Sequence, residues 1–186
     1  MQTQRNPTKF TYEDYLLFPD DGRRHEIIDG EHLVTPAPFT RHQRIVTRLI
    51  AAFESLVRRE KAGEVLTAPC DVVLSDLDVV QPDLLYVSPG RAASVTEKNI
   101  QGAPDLVVEI LSQSTRKTDE IVKRKLYERY GVREYWVVDP ELETVKVYRL
   151  TGKAYKRVTE LSRESGDTLT TPLLSKLKIL LRDLFA

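Results

Sequence analysis

Cysteine is nearly absent. Cys70 stands alone in 186 residues, which rules out an internal disulfide framework and suits a reducing cytoplasm. Net charge is missing too: 28 Lys and Arg balance 28 Asp and Glu, so no global field advertises nucleic acid or membrane. A polyanion site would have to be a local basic patch. The opening "MQTQRNPTKF" has no apolar leader core, and no segment approaches a membrane span. The eight glycines are scattered, with no GxxxxGK or GxGxxG to cradle a nucleotide. No His or Cys spacing suits zinc, and nothing among the 8 % aromatic residues suggests a sugar-stacking cleft. Repeats and low-complexity tracts are also lacking.

What remains is an ordinary globular composition, 41 % apolar and 30 % charged, expected to form one domain over residues 1–186. A short helical pattern starts near Thr11 and stops at Pro19. Asp29-Gly30 between two short runs predicts a hairpin. Over residues 41–60, Ile45, Leu49, Phe53 and Leu56 recur at helical spacing. Thr40 and Gln43 read as a capping box and Gly63 as the closing glycine. "DVVLS" and "VVQPDLLYV" flank a "DLD" loop, and a polar connection over 88–103 leads to a strand at 106–111. A helix is expected over about 119–130, then strands at "EYWVVD", "TVKVYRL" and "AYKRVTEL" and an alternating tail ending in a short turn. The order predicts an α/β or α+β core with a mixed sheet.

The odd feature is an acid inside an aliphatic run. In "DLVVEILSQST" Glu109 interrupts Leu106–Leu111, where an ionised carboxylate costs several kcal/mol unless something compensates. It can face solvent at the strand end, pair with a buried cation, or share a metal with other acids. Asp83 in "VVQPDLLYV" is a second embedded acid, next to Pro82, and proline inside a strand suggests an edge or bulge that re-aims side chains. On adjacent antiparallel strands the two acids can meet within ~5 Å. They repel unless a cation intervenes or one keeps its proton, and an oxygen-only pair suits Mg²⁺. Pro104-Asp105 repeats the "PD" pattern, but Asp105 is ~13 Å from Glu109 along an extended strand and reads as a strand-entry residue. Lys123 lies on the following helix, placed for an i,i+4 pair with Asp119 and on the face of Tyr127.

With "PD" at 82–83, Glu109 and a nearby lysine, the chain resembles the PD-(D/E)XK nuclease superfamily. More closely it is similar to the Uma family of restriction-endonuclease-like proteins. Matching stretches run in order along nearly the whole chain, among them "HEIIDGEHL", "TPAPFTRHQRIV", "VVQPDLLYVS", "GAPDLVVEILSQSTRKTDE" and "KRKLYERYGVREYWVVDP". The resemblance implies a restriction-endonuclease-like core with a mixed central sheet flanked by helices. It also implies a metal-dependent DNA endonuclease using Mg²⁺ or Mn²⁺. Asp83 and Glu109 match the metal-binding acids, and Glu26 an auxiliary metal ligand. Leu111 stands where the superfamily places its lysine, and Lys123 matches a lysine moved to the next helix. Tyr127 matches an aromatic that could orient it.

Arg41, His42 and Arg44 at a helix N-terminus, and Arg116 with Lys117, are candidate phosphate contacts. A homodimer is expected by analogy with paired two-strand cleavage. The competing readings are a catalytically degenerate nucleic-acid-binding or scaffold protein on the same fold, favoured by Leu111, and a glycoside hydrolase using paired acids.

Overall fold

The aliphatic run at Leu106–Ile110 is buried along its whole length, which requires cover on both faces of its sheet. The structure, a computed structural model, describes residues 9–186; most of the opening decapeptide lies outside the described residues. Six strands form the central sheet. Their spatial order is β11 (Ala154–Ser162), β10 (Thr144–Thr151), β9 (Glu134–Asp139), β8 (Leu106–Ile110), β6 (Leu84–Val87) and β3 (Glu64–Thr67). The β8–β9 pair is parallel and the other four pairs are antiparallel, so the sheet is mixed and the fold α+β, as the element order predicts.

Alternation along β8 sends Val108 and Ile110 to one face, where Ile45, Leu49 and Phe53 of the helix α2 (Thr40–Glu60) cover them. Val107 goes to the opposite face with Leu126 and Tyr127. Parallel strands need a long crossover. Here it carries a π-helical stretch, Thr118–Lys123, continuous with α3 (Arg124–Arg129). That segment returns over the face toward which Glu109 also points.

A second sheet, in the order β2 (Glu31–Thr35), β1 (Arg24–Ile28), β5 (Asp78–Val80), β4 (Val72–Ser75) and β7 (Ile100–Gln101), leans against the first. The Asp29-Gly30 hairpin is present, with both residues at positive φ of 51° and 76°, the geometry of a two-residue primed turn. The capping box at Thr11 closes a short helix, α1 (Tyr12–Tyr15). The tail forms β12 (Thr168–Thr171), β13 (Leu174–Leu180) and α4 (Leu181–Leu184). Among the described residues no helix is long and apolar enough to cross a membrane.

Several local expectations are corrected. Phe39, not Thr40, is the N-cap of α2 and makes no side-chain cap, because the preceding Pro-rich arm delivers the chain in an extended conformation. Lys61 rather than Gly63 takes the left-handed C-cap, at φ 52°. Gly63 is needed for a different reason: a Cβ there would lie 2.1 Å from the carbonyl oxygen of Val87. The apolar run at 79–87 is not one strand. It breaks at Pro82, and its two halves, β5 and β6, belong to different sheets. The chain therefore turns a corner at Pro82-Asp83, where the two sheets meet.

Candidate active site

That corner positions the first acid. Leu84 pairs with Val108, so Asp83, one residue earlier, arrives opposite Glu109 and on the same face. Its carboxylate is tied on three sides. Oδ2 accepts from the Ile110 amide at 2.8 Å and contacts His42 Nε2 at 3.0 Å, while Oδ1 accepts from Arg24 at 2.7 Å. Burial alone would raise its pKa, but His42, Arg24 and the amide together hold it below the ordinary carboxylate range.

Glu109 meets the opposite fate. Its Oε1 accepts from Lys123 Nζ at 3.1 Å and from the Tyr127 hydroxyl at 2.8 Å. Burial, reinforced by the neighbouring charges of Asp119, Asp83 and Glu26, outweighs Lys123 and pushes Glu109 up to about 8. Asp119 is pushed up to about 6, again chiefly by burial, and its buried Oδ1 accepts no hydrogen bond. Burial would lower Lys123, yet Glu109, Glu26 and Asp119 together raise it well above the usual lysine value.

Glu26 completes the group from β1. One oxygen accepts both from Lys123 Nζ at 2.9 Å and from the Gln81 amide at 2.8 Å, an amide freed as β5 ends. It is 3 % exposed, as deeply buried as the rest of the cluster. Four carboxylates thus face two permanent cations, Arg24 and Lys123, around a cavity of about 350 Å³. Thr35–Phe39 and Ser112–Thr115 line its walls.

The structure therefore brings together Glu26, Asp83, Glu109, Lys123 and Tyr127. It does not gather the candidate phosphate contacts. His42 is buried at 7 % exposure and belongs to the acid cluster rather than the surface. Arg116 is held by Asp139 at 2.5 Å and Glu141 at 3.2 Å, and Arg41 by Glu143 at 2.9 Å. Arg44 and Lys117 are exposed. The decoy Asp105 is fully buried and anchored by Arg133, Arg91 and the Ser88 amide, a strand-entry latch as expected.

The sequence reading gives His42 the wrong role, a surface phosphate contact, and does not single out Arg24. His42 sits one turn before Ile45 on the buried stripe of α2, the sole polar member of that stripe and hence its detectable signal. Arg24 lies two residues before Glu26 on β1, which puts both on one face by strand alternation.

The donor chemistry fits a hard divalent cation: all oxygen, surplus negative charge and low dielectric. The shell is not assembled, however. Among the described residues no three His, Cys, Asp or Glu side chains stand ready to hold an ion. Arg24 and Lys123 occupy the oxygens that such an ion would use.

No curated protein matches this chain. The crystal structure of "a putative nuclease belonging to DUF820" from Anabaena variabilis superposes with a TM-score of 0.79 at 23 % identity. The match covers 95 % of this chain and 97 % of that one, and it establishes a shared, restriction-endonuclease-like fold. The type IIG restriction endonuclease BpuSI gives 0.44 at 11 % identity, over 77 % of this chain and 15 % of that chain, too loose to argue from. Residues 12–182 match the family model Uma2, "Putative restriction endonuclease", and the chain belongs to that family.

Proposed function

We propose that this chain is a single-domain, metal-dependent DNA endonuclease that hydrolyses phosphodiester bonds, with Asp83, Glu109 and Lys123 as its catalytic residues. One observation carries the reading. At the floor of an open cavity, burial and the crowding of four carboxylates around two permanent cations push Glu109 up to about 8. A fold spends several kcal/mol on such frustration, and perturbed acids of this kind concentrate at functional sites.

Asp83 and Glu109 would hold Mg²⁺ or Mn²⁺, with Glu26 as auxiliary ligand. When bound, the ion supplies Lewis-acid polarisation of the phosphoryl group and an acidified water. The chain's own groups do the rest. Lys123, fully charged in its acid cage, orients the attacking water or stabilises negative charge on the oxygens of the phosphorane-like transition state. Tyr127 fixes Glu109 by donating to Oε1. Phosphate contacts outside the cleft fall to Arg44 and Lys117, since Arg41 and Arg116 are committed to acids. The proposed setting is the cytoplasm, and a homodimer would present two sites to two strands.

A second reading has its own observation in favour: Arg24 and Lys123 already neutralise part of the cluster, as in a degenerate site that binds nucleic acid or a partner without cutting. Titration with Mg²⁺ and Mn²⁺, followed by incubation with plasmid, linear and branched DNA, separates the two. Endonuclease activity predicts ion binding and strand cleavage in the wild type, both lost in the Asp83→Ala/Glu109→Ala double variant. Ion or DNA binding with no cleavage of any substrate favours the degenerate site.

A further inference from the structure

The cavity over Glu109 has a neighbour of about 360 Å³, and the two share Arg24, Thr35–Pro38, His42 and Asp83. Because both are lined by Asp83 and by the Pro36-Ala37-Pro38 arm, we take them as two lobes of one groove. Each lobe lies near the low end of the ~300–1,000 Å³ range that encloses one small molecule. A B-form major groove alone is ~12 Å wide. The acids on the floor are 2–4 % exposed, so a phosphodiester must enter the groove to reach them.

The charge around the mouth is equally telling. Duplex affinity comes mainly from neutralising many phosphates. Yet the cations that line the groove, Arg23, Arg24 and Lys123, are each paired with an acid, as Arg41 and Arg116 are elsewhere, and the chain is neutral. What the mouth does present is an aromatic ring. Phe39, at the end of the proline-stiffened arm, lines the first lobe and is 77 % exposed. Leaving a phenylalanine so exposed forgoes burial energy, and proline fixes the approach of the arm that carries it. Unpaired strands are bound through aromatic platforms on which bases stack, with less reliance on phosphate pairing than a duplex demands.

We propose, resting on the nucleic-acid reading above, that the groove admits a single unpaired DNA strand rather than continuous duplex. One nucleotide would occupy each lobe on either side of Asp83, with a base stacked on Phe39. Phe39 is then a positioning residue, outside the acid cluster.

The test measures binding, so it does not depend on turnover. A short fluorescein-labelled oligonucleotide is titrated with the full chain, as a single strand and as a blunt duplex, with Ca²⁺ in place of Mg²⁺ to suppress cleavage. The single strand is expected to bind about tenfold more tightly. Phe39→Ala should lose about tenfold of that affinity, the order of one lost base stack, and Phe39→Trp should keep it. Thermal unfolding of both variants should match the wild type, since the side chain is exposed. Equal or tighter duplex binding, no measurable single-strand binding, or a Phe39→Ala affinity equal to wild type each overturns the proposal. The two readings fail separately. Preferential, Phe39-dependent strand binding in Ca²⁺, with no cleavage once Mg²⁺ or Mn²⁺ replaces it, would sink the hydrolase alone, whereas duplex bound as tightly as single strand in Ca²⁺ and cut in Mg²⁺ would sink the strand preference alone.

Discussion

Asp105 and Glu109 lie four residues apart on one stretch of chain, both buried, at 0 % and 2 % exposure. Their chemistry is opposite. Burial works against the charge of Asp105, but the Ser88 amide, Arg133 and Arg91 overcome it and hold the carboxyl below its ordinary value. Those arginines keep their heads partly in water, at 55 % and 34 % side-chain exposure, so pairing costs them little desolvation. Glu109 has one buried lysine, shared with Glu26 and Asp119, and is pushed up to about 8. An acid inside a sheet is therefore no mark of function by itself. The mark is a buried acid whose neighbours withhold the charge it needs.

Exchanging each acid for its amide should break the comparison most sharply. Glu109→Gln is expected to abolish metal-dependent cleavage. Ion affinity, followed calorimetrically, should fall by more than the ~10–100-fold that losing an outer-shell partner costs. Asp105→Asn should leave cleavage per folded molecule intact. Next in size, Lys123→Met should lower the cleavage rate by about 10²–10³-fold, the cost of removing a preorganised charge stabiliser, with DNA affinity much less affected. Third, Asp105→Asn should cost ~1–3 kcal/mol of stability in denaturant melts, as a buried hydrogen-bond network is weakened.

The pH dependence of unfolding sharpens the contrast. Glu109 ordinarily titrates at 4.5, so in the ion-free protein its share of stability is fully present below 4.5 and drains away as pH rises to about 8. Asp105 is lowered from 3.8, so its share is present above 3.8 and is lost as pH falls further. Melting temperature without added ion should drop by several degrees between pH 5 and 8, and Glu109→Gln should flatten that slope. A slope unchanged in the variant would assign the titration elsewhere. The smallest effect belongs to Tyr127→Phe, which removes one hydrogen bond to Glu109 and should cost ~1 kcal/mol, read as a melting shift.

Long periodic elements were legible in the sequence. The stripe of α2, the Asp29-Gly30 turn, β8, β9 and the β10–β11 pair all follow from apolar spacing. The strands β3, β7 and β12 were not, at two to four residues each, too short for alternation to register. Asp83 and Glu109 stood out because each interrupts an aliphatic run. Arg24 did not, and His42 reads only as a surface phosphate contact, because a polar residue near a helix start or strand edge usually faces water. The segment before α3 follows its i,i+4 spacing, which puts Asp119, Lys123 and Tyr127 on one face, but not its apolar pattern. Asp119 and Lys123 face inward there, while Ile121 and Val122 are 44 % and 40 % exposed. Hydrophobic periodicity would have turned that helix the other way.

The stretch Thr118–Lys123 that carries these inward groups is a π-helical turn. A turn with one residue more than its neighbours resets the angular phase of everything after it, by roughly 100° for each residue at ordinary helical pitch. The bearing of Lys123 on Glu109 thus depends on the number of residues upstream as much as on its own identity. Trimming a single residue upstream would swing the ammonium group around the helix barrel while preserving every named side chain. A homologue with a shorter loop could carry the same acids and the same lysine, aimed at nothing.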